Sequence, residues 1–315
     1  MRIIDEDALR AAVTPRDAID AIRGAFRADG EGRAHVPAVI NLEIRRHRGE
    51  FHVKTAHIEG VPHVAVKIAS GFYDNPAKGL PSGSGLIAVF SAETGLLEAL
   101  LLDNGFLTDI RTGAAGAIAA DYLARRAIET VGVLGSGIQA RHQVRCLREV
   151  RAFSRVIAWS PNKGRLDRYC RDMRSEDFEA SAAADPETVC RAADVLVTAT
   201  PSRTPLVRAE WLRPGQHVTA VGADAPGKQE LDPACFERAD LVVVDRLTQC
   251  STFGELRHAL DAGLIRADRV RADLGEIAAG LMPGRARDDQ ITIADLTGVG
   301  FQDTAIASLA LARLA

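Results

Sequence analysis

The sequence predicts an α/β protein built from two domains, and three observations carry that prediction. From residue 130 to residue 296, short apolar segments alternate with helical segments, as in a parallel sheet covered by helices. Between residues 38 and 102, five strand-like segments follow one another without a helix, which indicates an antiparallel or mixed sheet of its own. A chain of 315 residues is long enough for both.

The composition excludes several classes of protein. Apolar residues make up 47% and charged residues 26% of the chain, and the net charge is −3 with both signs interspersed. Nothing therefore indicates binding to nucleic acid or to a membrane surface, and the N-terminus does not resemble a signal peptide. The five cysteines are an odd number with no C-x-x-C pair, which favours a reducing cytoplasm and predicts neither disulfides nor a metal site.

The first domain is expected to begin with a helix that is followed by five strands. Thr14 and Pro15 form an N-cap and first-turn signal, and Ile19, Ile22 and Phe26 then repeat on one face. Turn-forming residues separate the segments that follow. The predicted strands cover residues 39–44, 50–56, 63–68, 86–90 and 97–102.

A second helix, from residue 108 to about residue 123, is rich in glycine and alanine. Each glycine inside a helix costs about 1 kcal/mol, so this composition needs a packing reason. We expect another backbone to approach this helix very closely.

A glycine turn follows the first strand of the second domain. Residues 130–134 are a β-branched apolar run, typical of a strand buried on both faces, and residues 138–150 resemble a helix. Gly135 allows a tight turn, and Gly137 allows phosphate groups to approach the N–H groups at the helix start. Ala140 stands where the full motif has its third glycine.

The glycine motif alone also fits an ordinary turn, but its surroundings predict a Rossmann domain that binds a dinucleotide. Strands and helices alternate after it, and a helix rich in alanine closes the chain. The further strands are predicted at residues 156–159, 195–200, 217–222, 241–245 and 291–296, and helices at residues 248–263 and 303–314.

The residues after the second strand of this domain leave the choice between NAD and NADP open. An acidic residue at this place would bind the adenosine ribose of NAD. The chain has Ser160 and Lys163 there instead, which suits a 2′-phosphate and slightly favours NADP. Lys163 is about equally well explained as a solvated turn residue.

Three charged residues are candidates for chemistry, and each has a simpler alternative. Lys67 lies in an apolar strand, where an ammonium is costly unless it is paired; alternation would instead place it on an exposed face. Arg111 is able to bind a carboxylate with two hydrogen bonds, or it is a surface arginine. Asp224 follows a strand at its carboxyl end, where parallel sheets place ligands, and suits acid–base catalysis; the alternative is an ordinary turn aspartate.

Together, several segments resemble the ornithine cyclodeaminase/mu-crystallin family, in order from about residue 35 to the end of the chain. The combination is far more specific than any single motif. Segments 53–56, 71–81 and 101–105 are most similar to the branch associated with ectoine utilisation. The segments that carry the family resemblance are Lys67-Ile-Ala-Ser-Gly71 with Asn75-Pro76, Thr108-Asp-Ile-Arg-Thr112, Gly135-Ser-Gly-Ile-Gln139, Gly222-Ala-Asp-Ala-Pro-Gly-Lys-Gln-Glu-Leu231 and Asp295-Leu-Thr-Gly-Val-Gly300.

The resemblance implies a discontinuous fold and a set of roles. Residues 1–120 with 298–315 would form an α+β domain for substrate binding and dimerisation, and residues 121–297 a Rossmann domain for NAD or NADP; family members are typically homodimers. Lys67 and Arg111 match ligands of the substrate carboxylate, Asp224 matches the catalytic carboxylate, and Lys67 is a second catalytic candidate. The expected cofactor-binding residues are Gly135, Ser136, Gly137, Ile138, Gln139, Ser160, Lys163, Thr200, Thr112, Gly222, Val299 and Gly300.

The chain departs from the family pattern where the distal part of the substrate would bind. Asn41 falls near the place of a carboxylate-binding arginine, and His52 falls near an acid that would meet the distal amine of ornithine. His52 and Lys54 share one face of a strand, and a cation there would repel that amine. We therefore expect that ornithine is not the preferred substrate, unless Glu43 or Glu50 reaches the site instead.

The expected function is hydride transfer at C2 of a small amino or imino acid by an NAD(P)-dependent enzyme. Three chemistries fit the same residues: redox-neutral cyclodeamination, amino-acid dehydrogenation, and ketimine or imine reduction. A non-catalytic NADPH-binding protein, like some crystallins, is the alternative from another class. Lys67, Arg111 and Asp224 argue against it, since a pure binding protein has no need of the carboxylate.

Overall fold

The computed structural model describes residues 1–270 and 272–315, which form two compact units. The first unit comprises Met1–Arg111 and Val299–Ala315, and the second comprises Thr112–Gly298. The chain therefore leaves the first unit and returns to it at its end. The predicted α/β class with a Rossmann-type unit is confirmed, whereas the division of roles between the units stays a prediction.

The helices and strands of the described residues are as follows. The helices are α1 (Glu6–Ala12), α2 (Pro15–Gly30), α3 (Phe106–Leu123), α4 (Ile138–Arg148), α5 (Lys163–Arg174), α6 (Pro186–Ala192), α7 (Ala234–Arg238), α8 (Leu247–Phe253), α9 (Glu255–Asp261), α10 (Leu274–Ala278) and α11 (Gly300–Arg313). The strands are β1 (Arg2–Asp5), β2 (Ala34–His35), β3 (Ile40–Ile44), β4 (Gly49–Ile58), β5 (His63–Phe72), β6 (Gly83–Ser91), β7 (Leu97–Leu102), β8 (Thr130–Leu134), β9 (Arg155–Trp159), β10 (Glu179–Ala182), β11 (Val195–Thr198), β12 (Arg203–Val207), β13 (His217–Ala220), β14 (Gln229–Leu231), β15 (Leu241–Val244), β16 (Ala272–Asp273) and β17 (Thr292–Asp295).

A mixed sheet forms the centre of the first unit. Its strand order within the described residues is β1-β7-β6-β5-β4-β2, and β3 pairs with β4. The five predicted strands are confirmed as β3 to β7, joined by antiparallel pairing. Strand β1 was not predicted: only Ile4 of its four residues is buried, and its parallel pairing with β7 defines it.

Helices α2 and α11 pack against strands of this sheet and against each other. Helix α2 begins at Pro15 after the Thr14 N-cap, as predicted. Phe26 of α2 meets Phe301 of α11 edge to face, with ring centroids 5.2 Å apart. The Thr304 hydroxyl accepts a hydrogen bond from a β5 N–H group at 3.3 Å and donates to a β4 carbonyl at 2.8 Å. The last helix is thus fixed to the two central strands.

The second unit is a parallel sheet with the strand order β10-β9-β8-β11-β13-β17-β15-β16 among the described residues. All its neighbouring pairs are parallel. Strands β9 and β10 follow β8 on one side of it. The chain then crosses to the other side, where β11 lies next to β8 and the later strands continue the sheet. Ligands of open α/β sheets bind at such a switch point, beyond the carboxyl ends of the strands.

The small residues of α3 allow helix α4 to pack closely, as expected. A Cβ atom on Gly113 would lie 2.8 Å from the carbonyl oxygen of His142, and one on Gly116 would overlap the side chain of Gln143. The glycines therefore serve the packing of two helices rather than turns. Within the described residues, no helix is both long and apolar enough to cross a membrane.

The prediction of one continuous helix over residues 248–263 is wrong. Helices α8 and α9 are separated at Gly254, which is the N-cap of α9. The buried Asp295 carboxylate accepts a hydrogen bond from the Leu256 N–H group at 2.9 Å, and a Cβ atom on Gly254 would overlap that carboxylate. A buried acid therefore starts a new helix where the sequence pattern continues.

Candidate active site

The glycine turn after β8 has the shape that a phosphate group requires. Gly135 adopts φ +127°, and a Cβ atom on it would lie 2.7 Å from the Ala199 carbonyl oxygen. Gly137 is the N-cap of α4, makes no side-chain cap hydrogen bond, and would place a Cβ atom in open space. The N–H groups of the first helical turn therefore face an accessible place where an anion is favoured. A dinucleotide fits these residues.

The segment after β9 lies beside this turn. The hydroxyl groups of Ser136 and Ser160 are 3.0 Å apart, so the two loops meet. Asn162 caps α5 through a hydrogen bond from the Arg165 N–H group at 3.0 Å, and Lys163 is exposed at the first position of that helix. The structure thus brings Ser160 into contact with the glycine turn. Lys163 is a solvated residue at the start of α5.

Thr200 and Gly222 follow the ends of the adjacent strands β11 and β13, and a buried acid joins them. The Glu230 carboxylate accepts hydrogen bonds from the Thr200 N–H group at 2.6 Å, from the Thr200 hydroxyl at 2.7 Å and from the Gly222 N–H group at 2.9 Å. The Thr198 hydroxyl donates a fourth, at 2.7 Å. Glu230 was not among the predicted site residues.

The loop after β17 is also held by a buried acid. The Asp245 carboxylate accepts hydrogen bonds from the Gly298 N–H group at 2.6 Å and from the Thr297 hydroxyl at 3.0 Å. In the first unit, Val299 is buried, and a Cβ atom on Gly300 would overlap the backbone of Thr55. Gly300 therefore has a packing reason of its own, and the cofactor role of Val299 and Gly300 stays a prediction.

The other expected cofactor residues lie on helices α3 and α4. Ile138 is exposed and Gln139 is partly buried in the first turn of α4. The Thr112 carbonyl accepts a hydrogen bond from the Gln143 side chain at 2.9 Å. Ile138 and Gln139 adjoin the glycine turn in sequence, whereas Thr112 belongs to the α3–α4 contact.

Asp224 forms an ion pair with Lys228. The Lys228 Nζ atom lies 2.6 Å from Oδ1 of Asp224, and the two side chains are 7% and 41% exposed. The accessible carboxylate is therefore held by a nearly buried ammonium from the same loop. The His258 ring nitrogen lies 2.8 Å from the Lys228 carbonyl oxygen, which fixes the backbone that carries the lysine.

Lys67 and Arg111 converge on one carboxylate in the first unit. Lys67 Nζ lies 3.0 Å from Oδ2 of Asp303, and Arg111 Nε lies 3.1 Å from Oδ1 of the same residue. Arg111 also donates to the Gln302 amide oxygen at 2.8 Å. Lys67, Arg111 and Asp303 are 2%, 4% and 0% exposed. The simpler alternatives for Lys67 and Arg111, an exposed sheet face and a helix surface, are therefore wrong.

Burial and charge shift the pKa values within this cluster. Burial, together with the Arg111 charge, lowers the pKa of Lys67 from 10.5 to about 7, against the attraction of Asp303. Burial alone would raise the pKa of Asp303, but the charges of Lys67 and Arg111 outweigh it and hold that pKa below its ordinary value. Lys67 is therefore able to exchange a proton near neutral pH.

Lys54 lies directly opposite Lys67 in the pairing of β4 with β5, so both lysines project from the same face. Lys54 is 4% exposed, and its charge contributes to lowering the pKa of Lys67. Lys67 and Arg111 therefore pair with the Asp303 carboxylate, and the charge of the neighbouring Lys54 also contributes to lowering the pKa of Asp303.

His52 shares the face of Lys54, as predicted, and belongs to a polar group at the sheet edge. Its Nδ1 atom lies 2.6 Å from the Asn41 amide oxygen, and its Nε2 atom lies 3.3 Å from Oε1 of Glu50. The Tyr73 hydroxyl donates a hydrogen bond to the same Glu50 oxygen. Glu43 instead pairs with the exposed Arg45, at 2.9 Å. Glu43 and Glu50 are paired in the β3–β4 register and share this face, but only Glu50 contacts His52.

Two acids of the site, Asp303 and Glu230, were not predicted from the sequence. Polar residues, Gln302 and Thr304, flank Asp303 on both sides, and Glu230 lies in the polar motif that also contains Asp224. The apolar surroundings that drew attention to Lys67 therefore have no counterpart at either acid. No group of three or more potential metal ligands occurs in residues 1–270 and 272–315.

Comparison with known proteins identifies the family. A model of the ornithine cyclodeaminase/mu-crystallin family matches residues 6–314. The chain belongs to this family. It is 46% identical to a putative dehydrogenase of Rhizobium meliloti over 99% of this chain and 95% of that protein.

Two solved structures resemble the chain closely. An archaeal alanine dehydrogenase, described as a dimer with bound NAD, is 36% identical with a TM-score of 0.93, covering 99% of this chain and 95% of that one. The Thermococcus litoralis Δ1-pyrroline-2-carboxylate reductase in complex with NADH and L-proline is 28% identical with a TM-score of 0.95, covering 99% and 97%.

These relatives confirm the predicted class of function. The protein is an NAD(P)-dependent enzyme of the cyclodeaminase/mu-crystallin type that transfers hydride at C2 of an amino or imino acid. The prediction of a nicotinamide dinucleotide as cofactor is likewise confirmed at the level of NAD(P).

Proposed function

We propose that the enzyme interconverts a small imino acid and its amino acid with net oxidation or reduction of the cofactor. The observation that carries this proposal is the buried pairing of Lys67 and Arg111 with Asp303, next to the buried Lys54 that lies opposite Lys67. This arrangement attracts a substrate carboxylate and disfavours a substrate with a cationic side chain. Ornithine, with its distal ammonium, is therefore a poor substrate.

The residues of the chain divide the work of this reaction. Lys67 and Arg111 bind the α-carboxylate, because an ammonium and a guanidinium together recognise it by charge and by hydrogen bonds. Asp224 takes or gives the proton at the substrate nitrogen or at an attacking water. With a pKa of about 7, Lys67 is the second group able to carry a proton there.

The glycine turn and its neighbours hold the cofactor. Gly135, Ser136, Gly137, Ile138 and Gln139 receive the phosphate groups at the start of α4. A bound nicotinamide dinucleotide supplies the two-electron exchange at C2. The residues proposed to contact its other parts are Ser160, Lys163, Thr112, Thr200, Gly222, Val299 and Gly300.

Steady-state assays with both cofactors test the reaction type. We expect NADH or NADPH to be consumed with a 2-oxo acid plus ammonia or methylamine, or with a cyclic ketimine. L-ornithine should yield proline more than about a hundredfold more slowly than the best imino acid is reduced. Rapid proline formation without net cofactor change would overturn the proposal in favour of cyclodeamination.

Cyclodeamination of a diamino acid is the second candidate, and one observation favours it. Glu50 lies on the face of His52 and Lys54, held by Tyr73 and His52, and a carboxylate there suits a distal amine. The variant Glu50→Gln separates the two functions: it abolishes ornithine turnover if Glu50 binds the amine. Imino-acid reduction remains within about threefold of wild type if Lys67 and Arg111 carry the recognition.

We further propose that the protein is a homodimer through the open face of the sheet in the first unit. Ile40 pairs with Val53, Val53 with Ile68, and Ile68 with Leu86, so an apolar row crosses four strands. Ile40 and Ile68 are 64% and 39% exposed, and Ile3 and Leu102 are 64% and 41% exposed at the other end of the sheet. An apolar face of this extent is typical of a protein–protein contact.

Sedimentation of the variant Ile68→Glu tests this interface. The wild type should sediment as a dimer and the variant as a monomer, because a charge cannot be buried there without a partner. Leu281→Glu, at an exposed leucine of the second unit (63%), should remain dimeric. A wild-type monomer at micromolar concentration would contradict the proposal.

Two further proposals concern the cell. The cysteines, all five of them buried and free, suit a reducing cytoplasm, which fractionation of the source cells will test. The similarity of segments 53–56, 71–81 and 101–105 to the ectoine-utilisation branch supports a role in ectoine breakdown. A deletion strain that grows normally on ectoine as its carbon source would refute that role.

A further inference from the structure

The carboxylate of Glu230 is the point where two strand ends of the second unit are joined. Its Oε1 atom accepts from the Thr200 N–H and hydroxyl groups, and its Oε2 atom accepts from the Thr198 hydroxyl and the Gly222 N–H group, all within 2.9 Å. Each carboxylate oxygen thereby accepts two hydrogen bonds, from Thr198 of β11 and from residues that follow β11 and β13. The side chain is 0% exposed.

A buried carboxylate without a cation is an expensive way to join two strands. No salt bridge reaches Glu230 within residues 1–270 and 272–315, and burial raises its pKa to about 7. Two apolar side chains would stabilise a purely structural contact at lower cost. The Glu230 carboxylate therefore has a further effect: it fixes the positions of the N–H and hydroxyl groups that it binds, which an apolar side chain cannot do.

The residues that Glu230 holds continue directly into the glycine turn. Thr200 follows Ala199, whose N–H group donates to the Leu134 carbonyl at 2.9 Å. The Ala199 carbonyl in turn lies where a Cβ atom on Gly135 would approach to 2.7 Å. At the other strand end, a Cβ atom on Gly222 would overlap both Glu230 and the Thr200 carbonyl. A shift of Thr200 would thus move the phosphate turn and the Gly222 loop together.

The backbone of Glu230 is fixed as firmly as its side chain. Glu255 of α9 accepts from the Glu230 N–H group at 2.6 Å and from the Leu231 N–H group at 3.0 Å. Burial and the nearby charge of Glu230 raise the pKa of Glu255 well above its ordinary value. The same short strand, β14, follows Lys228, which binds Asp224. One anchored segment therefore supports both the strand ends and the proposed proton-transfer residue.

We propose that Glu230 is a positioning residue for dinucleotide binding, which presets Thr200 and Gly222 at the carboxyl edge of the parallel sheet. The inference rests on the assignment of Thr200 and Gly222 to the cofactor under the proposed function. Binding then requires no rearrangement of these loops, and the affinity is correspondingly higher. Glu230 touches neither cofactor nor substrate in this role.

The variant Glu230→Gln tests the proposal, because its amide turns one acceptor into a donor that faces other donors. We expect the Kd of NADH or NADPH, whichever the wild type binds more tightly, to rise at least about tenfold in a fluorescence titration. The KM for the cofactor should rise in parallel, while kcat at saturating cofactor stays within about threefold. Glu179→Gln, at an exposed carboxylate of β10, should leave the Kd unchanged.

A merely structural role predicts a different pattern. In that case Glu230→Gln lowers the midpoint of thermal unfolding while the folded fraction binds the dinucleotide within about twofold of wild type, and this result would overturn the proposal. If Glu230→Gln does not fold, the variant Thr198→Val removes one of the four donors, at a residue that the proposed function does not assign to the cofactor, and keeps the carboxylate. An unchanged Kd in that variant overturns the proposal equally, and a several-fold rise supports it.

The same experiment separates this inference from the proposed reaction. Dinucleotide binding is measured without substrate, so the inference stands or falls on the Kd values alone. A wild type that binds the dinucleotide but reduces no imino acid would refute the proposed reaction and leave the role of Glu230 intact.

Discussion

Asp303 forms an ion pair with Lys67 through one carboxylate oxygen, at 3.0 Å, and with Arg111 through the other, at 3.1 Å. The three residues come from the last helix, from a central strand and from helix α3, and all are buried. The charge that keeps two cations in the core of the first unit is thus supplied by the segment that returns at the end of the chain.

Replacement of Asp303 by asparagine should destabilise the protein by about 3 kcal/mol, because it leaves two cations buried without their carboxylate. Lys67 is able to lose its proton, which limits the cost to the lower end of the range for a broken buried pair. Denaturant unfolding followed by tryptophan fluorescence measures the change. Glu187→Gln, which breaks the exposed pair with Arg191, should cost less than about 1 kcal/mol; equal losses in the two variants would contradict the argument.

Substrate affinity should fall as the pH rises through about 7. The pKa of Lys67 is lowered to about 7 by burial and by the Arg111 charge, and only the protonated lysine attracts a carboxylate. Its protonated fraction in the free enzyme is high below pH 7 and decreases above it, so kcat/KM for the substrate should decrease on the alkaline side.

The variant Lys67→Arg is the control for this pH dependence, since a guanidinium stays protonated across that range. Its kcat/KM should be lower overall but should lack the alkaline decrease near pH 7. A wild-type profile that is flat from pH 6 to pH 9 would show that Lys67 does not titrate in the free enzyme.

Asp224→Asn should retain cofactor binding and lose at least about a hundredfold in kcat, the scale of a lost acid–base catalyst. The amide keeps the shape of the side chain but cannot exchange the proton. Cofactor titration and single-turnover kinetics measure the two effects separately. Asp261→Asn, at an exposed position (71%), should behave as wild type, and full activity of Asp224→Asn would remove Asp224 from the mechanism.

The two glycines of the phosphate turn should respond differently to alanine. Gly137→Ala places its methyl group in open space, so thermal stability should be unchanged while dinucleotide affinity falls at least about tenfold, because the methyl group occupies the approach of the phosphates. Gly135→Ala should lower stability by about 1–3 kcal/mol, since φ is +127° and the methyl group meets the Ala199 carbonyl. Similar stability losses in both variants would contradict this distinction.

Local sequence patterns were sufficient for the elements whose signals lie within one segment. The strand at residues 130–134, the glycine turn and helix α4 were predicted because strand, turn and helix chemistry are consecutive there. The antiparallel strands β3 to β7 were predicted for the same reason. Strand β1 was not predicted, because a short and mostly exposed segment is recognisable as a strand only through its pairing with β7. The break at Gly254 was not predicted, because its cause is the Asp295 carboxylate, which is distant in sequence.

By itself, the sequence determined the class of fold, the family and the cofactor type, and it drew attention to Lys67, Arg111 and Asp224. Only the tertiary structure decided which groups satisfy them: Asp303 for the first two, Lys228 for the third, and Glu230 for Thr200 and Gly222. The physical reason is that the sequence shows only the neighbours of a charge along the chain, such as the apolar residues around Lys67. The partner is chosen by chain topology, and no periodicity along the sequence records which distant segments meet.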